Sequence, residues 1–405
     1  MSIPIVIYLL CYVFEGALRY GLHLAGADAM IFLRDALLLL PLAIIFLHQL
    51  LHKKLHPAFL IFFAVIVLHG FVILVNMKSA QAIAYGAKIL ITMVAGALGM
   101  RPLLAPSRKV LMLLLLVWAV SLGAICADKY FVQMPWVGME TQIEGVKVDI
   151  SRDWQVSGAE KRAAGLMRDS IHAAMVMPLM ALVLIFNLQN LPLRLFVALG
   201  TLPALVWTTQ KGAIIAYLIT LGLMALNPKR PINMLRLGVC FTIALCIALP
   251  LVFQDYTMPN ADGVFSFYSF YLRIEWMWPD AWKWIHAHDA FPFGVGLGGI
   301  GGAQRVYAPD DVNAADNLFI LMYAYFGVMT FVYLAGVLAA VAKIGSNASK
   351  LATEATAMLV FLFGYGCVIS LIEDQMGSLY MGAALACVCH EIKRVSKERL
   401  QVQAQ

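Results

Sequence analysis

Apolar stretches close to the length of a membrane span recur along the whole chain, and most are joined by short polar connections. A helix needs about 20 apolar residues to cross the hydrocarbon core of a bilayer. No stretch shows the alternation typical of a membrane β-strand, and lipid offers backbone groups no hydrogen-bond partner, so the spans are expected to be helices. The predicted spans are 3–20, 30–50, 57–76, 83–100, 109–126, 171–189, 192–209, 211–227, 235–253, 315–342, 355–372 and 376–391.

The composition supports this interpretation. Of the 405 residues, 62% are hydrophobic and 13% are charged, whereas about a quarter of the residues in a soluble domain are charged. We therefore expect residues 1–405 to form one all-α polytopic membrane domain in contact with the lipid bilayer and with no nucleic-acid partner. The seven cysteines lie in or beside apolar stretches, where a thiol acts as a small hydrophobe, so no disulfide or metal site is predicted.

Basic residues in the short connections predict the orientation. Lysine and arginine are enriched in the cytoplasmic loops of membrane proteins, and twelve spans place both termini on that side. The two long connections, 127–170 and 254–314, then lie on the opposite side, where long loops are usually functional. The basic residues predicted to be cytoplasmic are Lys53, Lys54, Arg101, Arg108, Lys109, Arg194, Lys229, Arg230, Arg236, Lys343, Lys350, Lys393, Arg394, Lys397 and Arg399.

The second long connection contains an amphipathic pattern. "GVFSFYSFYLRIEWMW" places Phe267, Tyr271, Ile274 and Trp278 at helical spacing, and Pro279 either kinks this helix or begins another. Such a helix would lie along the membrane–water boundary, where its tryptophans form either the roof of a cavity or only an interfacial belt. The glycines of "PFGVGLGGIGG" at 292–302 would let the backbone approach a ligand closely. This run lacks the pattern of a nucleotide-binding turn.

Several ionisable residues lie in or next to the predicted spans, where burying a charge is costly and usually functional. Cations held near the membrane surface suit a phosphate or diphosphate, and a nearby carboxylate can accept the proton of an attacking hydroxyl. Structural alternatives remain open, since Arg34 and Asp35 can form a dipole and Glu373 and Asp374 a solvated turn. The full set on the outer half is Arg34, Asp35, Lys88, Lys211, Asp316, Glu373 and Asp374.

Four motifs resemble those of the bacterial O-antigen ligase and O-antigen/exopolysaccharide polymerase superfamily, in the family's order. "KRAAGLMRDSIHAAMVM" at 161–177 is similar to its Arg-x-x-Gly segment, and "WTTQKGAIIAYLI" at 207–219 to its Thr-x-Ser-Arg-Gly-Ala segment, with Lys211 in place of arginine. "RIEWMW" followed by "PFGVGLG" is similar to its Arg…Trp…Pro-x-Gly-x-Gly stretch. "AADNLFILMYAYFGVMT" at 314–330 resembles its His-Asn-x-x-Leu…Gly span, with Asp316 where ligases carry histidine.

The resemblance implies a membrane glycosyltransferase (GT-C-like) fold in the bacterial inner membrane, with a periplasmic active site. It implies transfer of a glycan from undecaprenyl diphosphate to an acceptor glycan without a metal or a nucleotide sugar. Asp316 in the histidine position favours a polymerase over a ligase that uses lipid A core. A transporter or lipid-linked glycan flippase is the alternative from another class, and an assembly scaffold is a third.

The site residues follow from the charges and the motifs together. Arg273 is predicted to contact the donor diphosphate, and Lys211 and Arg162 to complete the cationic pocket. Asp316 is the first choice for the base, followed by Glu275 and then Asp374; an aspartate before a helical run is also an ordinary N-cap. Further residues expected to bind substrate are Arg34, Lys88 and Asn317.

Overall fold

A computed structural model describes residues 2–143, 146–151, 161–252, 257–259 and 266–403. The chain divides into two compact units. The first contains Met1–His48, Arg101–Ile214 and Ala261–Ser266, and the second contains Gln49–Met100, Ile215–Asn260 and Phe267–Gln405.

The described residues are predominantly helical. The one sheet among them is an antiparallel hairpin in the first unit, which pairs β1 (Glu140–Ile143) with β2 (Val146–Asp149). The α-helices are α1 Ser2–Val13, α2 Glu15–Leu24, α3 Leu33–Leu51, α4 Pro57–Asn76, α5 Ala80–Leu98, α6 Met100–Leu104, α7 Arg108–Tyr130, α8 Ser170–Asn187, α9 Leu191–Thr208, α10 Lys211–Leu226, α11 Pro231–Val252, α12 Tyr268–Leu272, α13 Trp278–His288, α14 Gln304–Tyr307, α15 Leu318–Phe326, α16 Met329–Ala342, α17 Lys350–Gly366 and α18 Gln375–Gln403. Short 3₁₀ turns lie at Asp28–Phe32, Gly301–Ala303, Pro309–Asp311 and Leu371–Glu373, and a π-helical turn lies at Arg273–Met277.

Seven helical segments of the described chain are long and apolar enough to cross a membrane, and there are eight if the bent pair α1–α2 counts as one span. The protein is therefore an all-α polytopic membrane protein, as the sequence predicts, while the count of twelve spans stays a prediction. The shorter helices α10 and α16 are also apolar. The seven segments are Asp28–Leu51, Pro57–Asn76, Ala80–Leu98, Arg108–Tyr130, Ser170–Asn187, Leu191–Thr208 and Pro231–Val252.

The first predicted span, 3–20, is wrong as a single straight helix. Helices α1 and α2 meet at an angle of 79°. The backbone N–H groups of Gly16 and Ala17 donate to the carbonyl of Leu166, at 3.1 and 3.2 Å, and not to carbonyls one turn earlier in α1. A side chain at Gly16 would collide with the carbonyl of Met167, so glycine is needed for this close approach.

The predicted span 315–342 is also two helices. Helix α15 ends before Gly327, whose φ of +56° lies in the left-handed region that favours glycine. The N–H of Val328 then donates to the carbonyl of Pro292 at 2.9 Å. The carbonyl of Pro292 therefore accepts a backbone N–H that, in a continuous helix, would donate to a carbonyl of α15.

The amphipathic segment of the second long connection forms a continuous helical run. α12 leads into the π-helical turn Arg273–Met277 and then into α13. Pro279 lies in the first turn of α13, where a residue without an N–H is tolerated, and the π-helical turn comes directly before this helix. Ile274 and Trp278 are buried as predicted for the apolar face, whereas Phe267 is 49% exposed.

In the second unit, α18 packs along α5 and α17, and α11 packs along α17. The backbones of α5 and α18 touch at two glycines. A Cβ on Gly96 would collide with the carbonyl of Leu379, and a Cβ on Gly382 would collide with the carbonyl of Met93. Small residues permit this approach of two helices, as they commonly do in membranes.

In the first unit, α7, α8 and α9 form the core, and α8 is buried along nearly its whole length. Trp118 of α7 donates to Thr201 Oγ1 of α9 at 3.0 Å. Asp128, near the end of α7, accepts the N–H groups of Ala164 and Gly165 at 2.8 and 3.0 Å. This carboxylate therefore fixes the segment 161–169 that leads into α8.

Candidate active site

Arg273 and Asp316 form an ion pair in the second unit. The Arg273 Nη2 to Asp316 Oδ2 distance is 2.8 Å, and the two side chains are 16% and 27% exposed. Arg273 Nε donates to the carbonyl of Val368 at 3.1 Å and Nη1 to that of Ser269 at 2.8 Å. These contacts hold the guanidinium at a fixed position that a ligand can still reach.

Arg273 keeps hydrogen-bonding capacity beyond these contacts. A guanidinium carries five N–H groups, one on Nε and two on each Nη atom. Three are used, and one on each Nη atom has no partner among the residues that the structure describes. Two N–H groups of one arginine suit the two-pronged recognition of a phosphate.

Asn317, and not Asp316, caps the following helix. Asn317 Oδ1 accepts the N–H groups of Phe319 and Ile320 at 2.8 and 3.1 Å, so the interpretation of Asp316 as an N-cap is wrong. Asn317 Nδ2 donates to the carbonyls of Cys246 and Cys367 at 3.1 and 3.0 Å. The side chain is completely buried. Its polar groups therefore join three segments, a structural role that differs from the predicted substrate contact.

Asp316 itself has an unusual backbone, with φ of +40°. Its N–H donates to Ser370 Oγ at 3.1 Å. An L-residue rarely adopts this conformation, and aspartate tolerates it better than most. The backbone turn and the ion pair with Arg273 together position the carboxylate.

Glu373 is the carboxylate that the sequence reasoning missed as a site residue. Its Oε1 accepts the N–H of Gly302 at 2.8 Å and the hydroxyl of Tyr325 at 3.4 Å. Burial raises the pKa of Glu373 to about 7, the negative charge of Asp316 adds to the rise, and the Gly302 N–H and Tyr325 hydroxyl oppose it. A carboxyl with a pKa near neutrality can both accept and return a proton at physiological pH.

The glycine-rich run serves mainly to pack against helices. A Cβ on Gly296 would collide with the backbone N of Ile73, so this part of the run lies against α4 and leaves no room there for a ligand. Gly301 differs, because its φ is +83° and its Cβ position faces the carboxylate of Glu373. Gly301 and Gly302 thus lie directly against this carboxylate, while the predicted approach of the glycine backbone to a ligand stays a prediction.

The remaining predicted residues of the second unit have other surroundings. Asp374 Oδ1 accepts the N–H groups of Met376 and Gly377 at 2.9 and 3.0 Å, which is the geometry of a cap on α18. Glu275, the second choice for the base, is exposed. Lys88 is exposed on α5. Tyr85, one turn earlier in the same helix, places its hydroxyl against Gly302, where a Cβ would collide with it.

Arg34 belongs to a buried charge cluster in the first unit. Its Nη1 lies 2.7 Å from Glu15 Oε2, and its Nη2 lies 3.3 Å from Asp35 Oδ1. Arg19 Nη2 approaches the other oxygen of Glu15 at 2.6 Å. The Arg34 guanidinium also lies over the ring of Tyr12, 5.5 Å from its centre. Arg34 is thus held mainly by Glu15, a partner that sequence reasoning did not assign.

Arg162 and Lys211 also belong to the first unit, in which Arg162 is partly buried. Lys211 Nζ donates to the backbone carbonyl of Ser266. Seven residues after Arg162, burial works to raise the pKa of Asp169, but His172 and Arg168 outweigh it and hold that pKa well below its ordinary value. The predicted pocket that joins Arg162 and Lys211 to Arg273 stays a prediction.

Comparison with protein-family models, curated proteins and solved structures finds no match to this chain. The family resemblance therefore rests on the motifs alone. The site itself supplies a guanidinium with two available N–H groups, an ion-paired carboxylate and a second carboxyl with a pKa near 7.

Proposed function

We propose that the protein is a metal-independent glycosyltransferase that moves a glycan from an undecaprenyl-diphosphate donor to a glycan acceptor at the periplasmic face of the bacterial inner membrane. The observation that carries the proposal is the Arg273–Asp316 pair, because a partly exposed arginine with two spare N–H groups suits a diphosphate. The proposal includes twelve spans with both termini in the cytoplasm and two periplasmic connections, 127–170 and 254–314.

In this proposal, Arg273 binds the donor diphosphate and Asp316 holds the guanidinium in position. The acceptor hydroxyl oxygen attacks the anomeric carbon, and the bond from that carbon to the diphosphate oxygen breaks. The hydroxyl proton passes to a carboxylate, and the electron pair leaves with the undecaprenyl diphosphate. Glu373 replaces Asp316 as the first choice for this base, since its pKa of about 7 matches the task and Asp316 already pairs with Arg273.

The test uses purified full-length protein and a lipid-linked repeat unit. Wild type is expected to produce longer lipid-linked glycans. Arg273→Ala should abolish extension and Glu373→Gln should reduce it about 10²–10⁴-fold, the usual contribution of a general base. Lys283→Ala is the matched control for the arginine, because Lys283 is 78% exposed and forms an ion pair with the exposed Asp280. Full activity of Arg273→Ala would contradict the proposal.

The same assay separates polymerase from ligase. Lipid A core is added as a second acceptor, and transfer to it without chain extension would indicate a ligase. Asp316→His introduces the residue that the resemblance associates with ligases. The polymerase assignment predicts that this variant does not gain transfer to lipid A core.

A proton-coupled transporter of lipid-linked glycans is the second candidate, and the raised pKa of Glu373 favours it. Carboxyls that titrate near neutrality serve as proton relays in transporters. Proteoliposomes with an imposed pH gradient and a labelled lipid-linked glycan test this function. The transporter would become the preferred function if the labelled glycan crosses the bilayer only with the gradient, if Glu373→Gln abolishes this movement, and if no glycan extension occurs.

A further inference from the structure

A cavity of about 330 Å³ lies between α4, α5 and α18 in the second unit, away from Arg273 and its partners. Its walls are apolar and come from all three helices, with Phe62 and Val65 on α4, Met93 on α5 and Leu385 on α18. The volume is in the range of small-ligand pockets, about 300–1,000 Å³. Methionine side chains adapt to irregular apolar shapes, so Met93 and Met100 suit a flexible hydrocarbon.

Small residues form the side of the cavity where α5 and α18 meet. Gly382 contributes no side chain, and its backbone touches the carbonyl of Met93. Ala97 and Ala386 line the cavity on either side of this contact. The cavity therefore lies where α5 and α18 approach each other through small residues, and larger side chains of α4 form its opposite wall.

One end of the cavity is basic. His56, His390 and Lys393 line it there, and no aspartate or glutamate is among its described lining residues. His390 and Lys393 are exposed, and the exposed Lys53 and Lys54 come shortly before His56 in the chain. The nearest acid in α18, Glu391, is already bound by Arg394 and Ser349. An anionic group at this end would therefore meet the positive charge of Lys393, with no acid among the described lining residues to offset it.

We propose that this cavity binds an acyl chain of an anionic phospholipid of the surrounding bilayer, with the lipid phosphate at Lys393 and His390. Two of its helices, α4 and α5, are long and apolar enough to cross a membrane, and α4 exposes Leu60 on its surface, as expected of a lipid-facing side chain. A phospholipid combines the apolar chain that the walls require with the phosphate that the basic end requires. Juxtamembrane basic residues commonly attract anionic lipids.

The test is native mass spectrometry of the delipidated full-length protein in detergent, with equal amounts of phosphatidylglycerol and phosphatidylcholine of the same acyl chains. We expect one phosphatidylglycerol to be retained about fivefold more than phosphatidylcholine, the preference that one basic residue near a lipid surface produces. Lys393→Gln should remove this preference, and Ala386→Phe should reduce retention of both lipids by filling the cavity. Lys343→Gln and Ala342→Phe are matched controls at exposed positions outside the cavity.

A second readout does not depend on a folded Ala386→Phe variant. Cys389 lines the cavity and is exposed, while the exposed Cys240 does not line it. Phosphatidylglycerol should slow alkylation of Cys389 and leave the rate at Cys240 unchanged. Equal retention of both phospholipids in wild type, or equal alkylation with and without lipid, would overturn the proposal. Retention of undecaprenyl monophosphate with no retention of phosphatidylglycerol would also overturn it.

Discussion

Replacing Glu373 by glutamine should change how the stability of the protein depends on pH. The folded-state pKa of Glu373 is about 7, above its ordinary value of 4.5. Between these two pH values the unfolded chain releases the proton while the folded chain retains it, so the stability of the wild type falls as the pH rises from 4.5 to 7. Below and above this window the contribution of Glu373 is constant.

The magnitude follows from the two pKa values. Their difference corresponds to about 3 kcal/mol of destabilisation at pH 8 relative to pH 4, at 1.36 kcal/mol per pH unit. This figure is an upper bound because the side chain is partly exposed and solvent screens its charge. Glutamine keeps an oxygen that accepts the Gly302 N–H and has no proton to lose. Glu373→Gln should therefore be more stable than wild type at pH 8 and lack the decline across the window.

The assay is thermal unfolding in detergent, followed by tryptophan fluorescence from pH 4.5 to 8.5. With the entropy scale of soluble proteins, about 3 kcal/mol corresponds to a Tm difference of about 4 °C for a chain of this length. Glu275→Gln is the matched control, because Glu275 is exposed and its loss should leave the wild-type profile intact. If the Tm profiles of wild type and Glu373→Gln run parallel over the whole range, the assigned environment of Glu373 is wrong.

Three further changes test other contacts. Asp316→Asn removes a charge that raises the pKa of Glu373, so the carboxyl band of Glu373 in infrared spectra should titrate at lower pH than in wild type. Asn317→Ala should lower the free energy of unfolding by about 2–4 kcal/mol in chemical denaturation, because it removes a cap and two buried bonds to carbonyls, whereas Asn313→Ala at an exposed bond should cost less than about 1 kcal/mol. Glu15→Gln removes the carboxylate that Arg19 and Arg34 share, while Arg34 keeps its longer contact to Asp35, and it should cost about 3–5 kcal/mol in the same measurement; a loss below about 1 kcal/mol, typical of an exposed pair, would refute this role.

The sequence predicted the membrane class and most helix positions because apolar length alone determines them. It did not predict the break at Gly327, since a single glycine in an apolar run is compatible with a continuous membrane helix. The bend between α1 and α2 depends on the carbonyl of Leu166, which lies far along the chain. Local patterns carry no information about such a partner.

The candidate site was predicted in part. Arg273 and Asp316 were singled out separately, but their pairing depends on the left-handed backbone of Asp316, which the sequence does not indicate. Glu373 and Asp374 are adjacent acids, and only the fold decides that Asp374 caps α18 while Glu373 meets Gly302. The capping role of Asn317 was accessible from the sequence, because asparagine before an apolar helical run is a strong N-cap signal.

The contact between α2 and Leu166 has a consequence for synthesis of the chain. Gly16 and Ala17 leave the ribosome about 150 residues before Leu166, a delay of roughly 8–30 s at 5–20 residues per second. During that interval the N–H groups of Gly16 and Ala17 lack their native acceptor, although Arg19 of the same helix has already been synthesised and can pair with Glu15. Nascent chains arrested before residue 160 should therefore be cleaved by protease near the start of α2, and chains long enough for Leu166 to have left the ribosome should be protected there.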